Sequence, residues 1–262
     1  MMRYFKLWLS FFKMSWMADL EYRLNLVLRV IGEFAWYTAQ LSVFEVLYKH
    51  TSSISGWDVH GMRVFMGTLF LTDVIYMILF MESMDNMAGL VKRGDLDLYL
   101  TKPIASQFMV SCRKVAVAYF VNFAVIMVYL IWGIRQLPGP VSAVQLVTFT
   151  VLVLSGLVIL YAIRFMFATL SVLLHDAGNI QFVWHQLYRL GTRPDPIYPS
   201  ALRMIVLSVF PVAFFASVPA RVLVEGIEPR LLLVAPAMAV GLLYLSHFCW
   251  ERALRSYSSA SS

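Results

Sequence analysis

The run 143-AVQLVTFTVLVLSGLVILYAI-163 contains no Asp, Glu, Lys or Arg. Coiled as a helix at about 1.5 Å per residue it extends about 30 Å, the thickness of the hydrocarbon layer of a bilayer. Residues 115–134 and 231–250 are uncharged over a similar length, and 204–220 form a slightly shorter uncharged run. Two more stretches, 24–48 and 61–82, are apolar but interrupted by Arg29, Glu33, Glu45 and Asp73. Working outward from these runs, the chain reads as an all-α, polytopic membrane protein, a single transmembrane domain over 1–262. The expected spans are 24–48, 61–82, 115–136, 143–174, 201–218 and 231–250, six in all. Composition agrees. Of the 262 residues 60% are apolar and 14% charged, against about 25% charged in soluble domains, too few polar atoms to cover a water-facing surface.

The connecting segments have their own signatures. Within 1–23, Phe5, Trp8, Leu9, Phe12 and Trp16 share one helical face, with Lys6, Ser10 and Lys13 roughly opposite. That pattern predicts an amphipathic helix lying in the headgroup plane. Basic residues are spread through it and no small-residue cleavage site follows, so a cleavable signal is not expected. The stretch 49-KHTSSISGWDVHG-61 reads as an outer loop. Leu137-Pro138-Gly139-Pro140 forces helices 3 and 4 antiparallel, and the inner end of helix 4 projects or bends. Residues 175–200 are amphipathic and then Pro-rich, reading as a second interfacial helix that leads rigidly into helix 5. Pro211 lies inside helix 5 and Pro219 follows it. In lipid a proline-broken helix persists only where the freed carbonyls meet protein or water, so the chain either re-enters around 219–229 or extends helix 5. The tail, 251–262, ends in SYSSASS and is expected to be disordered.

The net charge is +6. With the N-terminus in the cytoplasm, the cytoplasmic segments hold Arg3, Lys6, Lys13, Arg23, Lys92, Arg93, Lys102, Arg113, Lys114, Arg189, Arg193, Arg203, Arg252 and Arg255. The outer segments hold only Lys49, Arg63, Arg135, Arg221 and Arg230. This positive-inside bias orients both termini to the cytoplasm of a bacterial inner membrane. The excess charge is therefore topological, with some attraction to anionic membrane lipid, and no nucleic-acid partner is expected. Cys112 and Cys249 fall near cytoplasmic helix ends and imply no disulfide.

No G-x-x-x-x-G-K-[ST] phosphate loop, H-E-x-x-H motif, G-x-S-x-G element or Cys/His metal cluster is present, and the five histidines are scattered. No catalytic, metal or cofactor residue is therefore assigned. Charged groups inside spans are costly and should face protein or water. Glu33, Gln40, Asp73 and Arg164 are the candidates, as conduit residues or as an ion pair of Arg164 with Asp73 or Glu33. Glu33, Trp36, Tyr37, Gln40 and Phe44 share one stripe of helix 1, which either lines a conduit or packs on helix 2. The polar stretch 83–114 is too charged to enter lipid and offers a cytoplasmic docking surface for a soluble partner.

At this point two segments carry a family resemblance. The stretch 89-GLVKRGDLDLYLTKPIASQF-108 resembles the segment that follows helix 2 in ABC-2 type permeases: a basic residue, G-[DE]-L-D, a Leu-rich stretch and [KR]-P. The stretch 194-PDPIYPSALRMIVLSVFPVAFFASVPARVLVEG-226 is similar to their second motif, with I-Y-P, a basic residue, P-V-A-F and P-A. The resemblance runs over almost the whole chain, and neither motif is a catalytic signature. It implies the membrane-spanning half of an ABC transporter, with ATP and Mg bound by a separate ATPase. Two ATPase subunits and a second permease, identical or related, are the implied partners. Arg93, Gly94, Asp95, Leu96, Asp97, Leu98, Lys102 and Pro103 would form the coupling helix and its flank, and export of a lipid, glycan or amphiphilic compound is favoured. The absence of a large outer domain puts a periplasmic docking role in doubt. Two other classes remain. A lipid head-group enzyme would need Glu82, Asp85, Asp95 and Asp97 to act together. A secondary transporter would show matched broken helices in two halves, and that symmetry is missing here.

Overall fold

The computed structural model describes residues 2–54, 56–174 and 177–257. The end of the serine-rich tail, 258–262, lies outside them, as does His175. Among the described residues the chain is helical throughout, and its only β pairing is the isolated Ile54–Trp57 bridge.

Helix α1 (Met2–Glu21) is followed by α2 (Arg23–Tyr48). A third helix, α3 (Val59–Tyr76), is capped by Asp58, whose carboxylate accepts the Gly61 N–H at 2.8 Å. It passes through a wider π-turn over Met77–Met81 into α4 (Glu82–Asp85) and α5 (Met87–Lys92). The π-turn leaves the Ile78 carbonyl free to accept the Ala116 N–H at 3.1 Å, which anchors the chain entering α8. After α6 (Leu96–Leu100) and α7 (Ser106–Cys112) come α8 (Tyr119–Arg135) and the long α9 (Ala143–Leu174). Next is α10 (Ala177–Gly191), a 3-10 turn at Asp195–Ile197, α11 (Ser200–Ser208), a second 3-10 turn at Val212–Phe215, α12 (Ser217–Val224) and α13 (Pro229–Ser256).

Among the described residues three continuous stretches are long and apolar enough to cross a membrane: Val59–Lys92, Ala143–Leu170 and Pro229–Ser256. Tyr119–Arg135 is a shorter apolar helix. With 26 residues, α2 has the length but carries Arg23, Arg29, Glu33 and Glu45.

The helix expected over 201–218 does not exist as one element. Pro211 has no N–H and its ring excludes the helical path. The Val209 and Phe210 N–H groups both donate to the Ile205 carbonyl, closing α11. Beyond Pro211 the chain turns back along α9. Phe210 packs edge-on against Phe167, the Phe214 carbonyl lies on Gly156, and the Val222 carbonyl accepts from Gln145 Nε2 at 3.2 Å. These contacts run from the far end of α9 to its beginning. Gly156 makes the middle one feasible, since a Cβ there would collide with the Phe214 carbonyl. Along α10, Trp184 meets Phe167 and Gly191 meets Phe215, so α10 climbs α9 in the same direction. Between these two ascending limbs α11 must descend. The result is an interrupted hairpin over 192–224.

The buried core falls into two clusters. One joins α9 and α13 to the segment after α3, around Leu96, Phe165, Phe214 and Trp250. The other joins α2, α3 and α8 around Phe65, Tyr119 and Leu130, where Gly67 lets the Leu130 side chain come within 3.0 Å of the site of a Cβ. Helix α1 presents three faces. Tyr4, Trp8, Phe11 and Ser15 meet protein, including a 3.1 Å hydrogen bond from the Val115 N–H to Ser15 Oγ. Phe5, Leu9 and Trp16 are exposed apolar groups, and Lys6 and Lys13 are exposed on the third side.

Candidate functional site

Two regions gather the residues singled out from the sequence. The first is the segment after α3. Gly94 has φ +73°, a left-handed turn that lets α6 fold back from α5. Arg93 spans it, its Nε donating to Asp95 Oδ2 at 2.8 Å. The apolar anchors expected there divide: Leu96 is fully buried and Leu100 packs on the same core, whereas Leu98 is 65% exposed. Lys92, Arg93, Thr101, Lys102 and Pro103 are exposed beside it. The opposite face is sealed by Met87, Leu90, Tyr99, Met109 and Val110, with the Arg113 guanidinium 4.8 Å over the Tyr99 ring. Cys112 closes that face, and burial pushes its thiol up to about 11. Tyr257, just past α13, lies beside Asp97; burial and that carboxylate raise its phenol.

This segment therefore has one face welded to the core and one face of charges around a single exposed Leu. The four carboxylates that head-group chemistry would need do not act together. Glu82 pairs with Arg29, Asp85 with Arg164, Asp95 with Arg93, and Asp97 sits against Tyr257.

The second region is a cavity of about 800 Å³ between α2, α3 and α10. Gln40 and Asp73, both candidate conduit residues, line it with Trp36, Tyr37, Phe44 and Phe70. Asp73 Oδ1 accepts from the Tyr188 hydroxyl at 2.8 Å. Glu33 and Arg164 do not reach this cavity. Glu33 accepts from the Tyr119 hydroxyl at 3.3 Å on the side of α8. Arg164, 3% exposed, pairs with Asp85 and lies 5.6 Å over the Trp184 ring. The expected pairing of Arg164 with Asp73 or Glu33 is thus corrected: Asp85, on the short helix that extends α3, is the nearer acid.

A third cluster escaped the sequence reading. Asp195, 1% exposed, binds the guanidinium groups of both Arg203 and Arg221 and accepts from Ser217 Oγ at 2.5 Å. Its own N–H donates to the same Oγ at 3.0 Å. Arg203 and Arg221, expected on opposite sides of the membrane, share one carboxylate because 201–218 is not one continuous helix. The only local signal was an acid set between Pro194 and Pro196.

With this geometry in hand, the comparison with protein families decides the assignment: the family model described as ABC-2 family transporter protein matches residues 34–261. The chain belongs to this family. No curated protein and no solved structure matches it. As an ABC-2 permease it is the membrane component of an ABC transporter, a multi-pass membrane protein that associates with an ATP-binding cassette ATPase. The match begins within α2 and takes in the segment after α3, the cavity and the Asp195 cluster.

Proposed function

We propose that the chain is one of two permease subunits of an ATP-driven exporter in a bacterial inner membrane, with two ATPases docked on the Leu98 face. The observation that carries this reading is the division of 83–114 into a sealed and a charged face. Leu98 supplies an apolar anchor, and Arg93, Asp95 and Lys102 fix the orientation of a partner. ATP and Mg belong to the partner. Force entering at α6 reaches the cavity by a direct route, because α5 and α4 continue into α3, whose Asp73 lines it. In this reading the chain crosses six times, through α2, α3, α8, α9, α10 with the hairpin above it, and α13. Both termini are then cytoplasmic. Lys92, Arg93, Lys102, Arg113, Lys114, Arg252 and Arg255 still lie on the inner side and support that orientation. The cargo class is a lipid, glycan or amphiphile.

The test is purification of the tagged chain in a gentle detergent, with co-purifying proteins identified by mass spectrometry. A protein bearing a G-x-x-x-x-G-K-[ST] loop should accompany the wild type and be lost from Leu98→Arg and Asp95→Lys. Folded, abundant chain with no such companion under any mild condition would overturn the reading.

A further inference from the structure

The cavity has two unlike walls. From α2 and α3 come Trp36, Tyr37, Phe44 and Phe70, a continuous aromatic surface. From α10 come His185 and Arg189, four residues apart on one helical face, and Arg193 follows two residues past the end of the helix. Among the described residues neither Arg189 nor Arg193 is in an ion pair, and both are exposed and line the cavity. The acid in the same cavity, Asp73, is held instead by Tyr188.

Their depth makes this unusual. Gly191 meets Phe215, and the neighbouring Phe214 carbonyl lies on Gly156, thirteen residues along α9 and thus near the middle of its apolar stretch Ala143–Leu170. Arg189 and Arg193 flank Gly191, so both guanidinium groups belong to the hydrocarbon level of the proposed arrangement. A cation at that depth persists only where it meets an anion or water. Arg29 on α2, Arg63 on α3, Arg164 on α9 and Arg221 on α12 each pair with an acid.

We infer that the cavity binds an amphiphile with an anionic head, phosphate or carboxylate, on Arg189 and Arg193, and an apolar tail along Trp36 and Phe70. This rests on the transporter reading for its biological sense, while the binding chemistry stands on the cavity itself. A guanidinium pair suits a phosphate or carboxylate because it offers forked N–H donors in fixed geometry. A volume of about 800 Å³ is in the range of sites that take drug-sized ligands.

The experiment uses the full chain in phosphatidylcholine nanodiscs, without ATPase, and radiolabelled dodecyl phosphate, with empty nanodiscs subtracted. Competition by inorganic phosphate, dodecanol and dodecyltrimethylammonium separates head from tail. Dodecyl phosphate should bind saturably and weaken at least about tenfold in Arg189→Gln/Arg193→Gln, about 1.4 kcal/mol, while Arg189→Lys/Arg193→Lys retains most of the affinity. Trp36→Ala should weaken the dodecyl phosphate and leave inorganic phosphate competition unchanged. An unshifted thermal midpoint identifies the glutamine variant as folded. Equal binding to that folded variant, or tighter binding of the trimethylammonium compound, overturns the inference. Competition by inorganic phosphate as strong as by unlabelled dodecyl phosphate, with none by dodecanol, also overturns it, assigning the two arginines to a free anion. Because no ATPase is present, failure here leaves the co-purification result untouched, and failure of co-purification leaves this one untouched.

Discussion

The segments 83–114 and 192–224 are both chains of short helices between long ones, yet they are held in opposite ways. The first buries its apolar side chains and leaves charge outside: Leu96 and Met87 are fully buried, and the Arg93–Asp95 pair lies at the surface. The second buries its charge, closing Asp195 between Arg203, Arg221 and Ser217. A surface of solvated charge costs little to hold and is free to meet a partner. A buried carboxylate with two guanidinium partners is a lock, since losing it strands the largely buried Arg221 guanidinium without its acid. The difference teaches how two broken regions are held: under the proposed function the first is for docking, and the second fixes the fold.

The sharpest way to break the comparison is to remove one acid from each. Asp195→Ala should destabilise by about 3–5 kcal/mol, read as a large drop in thermal midpoint in mild detergent. Asp95→Ala should cost less than about 1 kcal/mol, as exposed pairs do. Equal effects would erase the distinction.

Glycines give a smaller contrast. Gly156→Ala drives a methyl into the Phe214 carbonyl and should cost roughly 1–3 kcal/mol, loosening the hairpin from α9. Gly94→Ala meets open space but must hold φ +73°, for about 1 kcal/mol. Its main readout should be weaker ATPase co-purification, with the unfolding midpoint little changed.

The smallest effect tests the sealed face of the docking segment. With its thiol pushed up to about 11 by burial, Cys112 holds little thiolate at pH 8, and the fraction rises only as the pH approaches that value. Maleimide should therefore label it slowly at pH 8 in a Cys249→Ser background, and rapidly once the chain is unfolded. Fast labelling of the folded chain would mean that α7 is not packed as described.

Legibility in the sequence followed the range of the interactions involved. The helix over 143–174 and the one around 231–250 are visible because an uncharged run decides its own state locally. The segment 83–114, proposed here for docking, was legible as a charged stretch between apolar runs, since G-D-L-D and K-P lie close together in it. What composition does not encode is pairing across the fold. Arg164 finds Asp85 rather than Asp73, and Arg221 finds Asp195, contacts that exist only after the helices pack. The span expected over 201–218 failed for the same reason. Val206 and the residues from Val212 to Val218 are buried in the hairpin, whereas Met204, Ile205 and Val209 stay exposed, and a hydropathy reading counts them all alike. Of the intramembrane candidates, Gln40 and Asp73 meet in one cavity, and Glu33 and Arg164 serve other contacts.

The most direct test of the central claim is a photocrosslink from position 98 in intact cells, with benzoylphenylalanine replacing Leu98 and a second chain carrying it at the buried position 96. The account predicts a specific adduct from position 98 to a protein with a G-x-x-x-x-G-K-[ST] loop, and none from position 96. Adducts from position 98 to lipid alone, or to no such ATPase while the chain is folded and abundant, would contradict it.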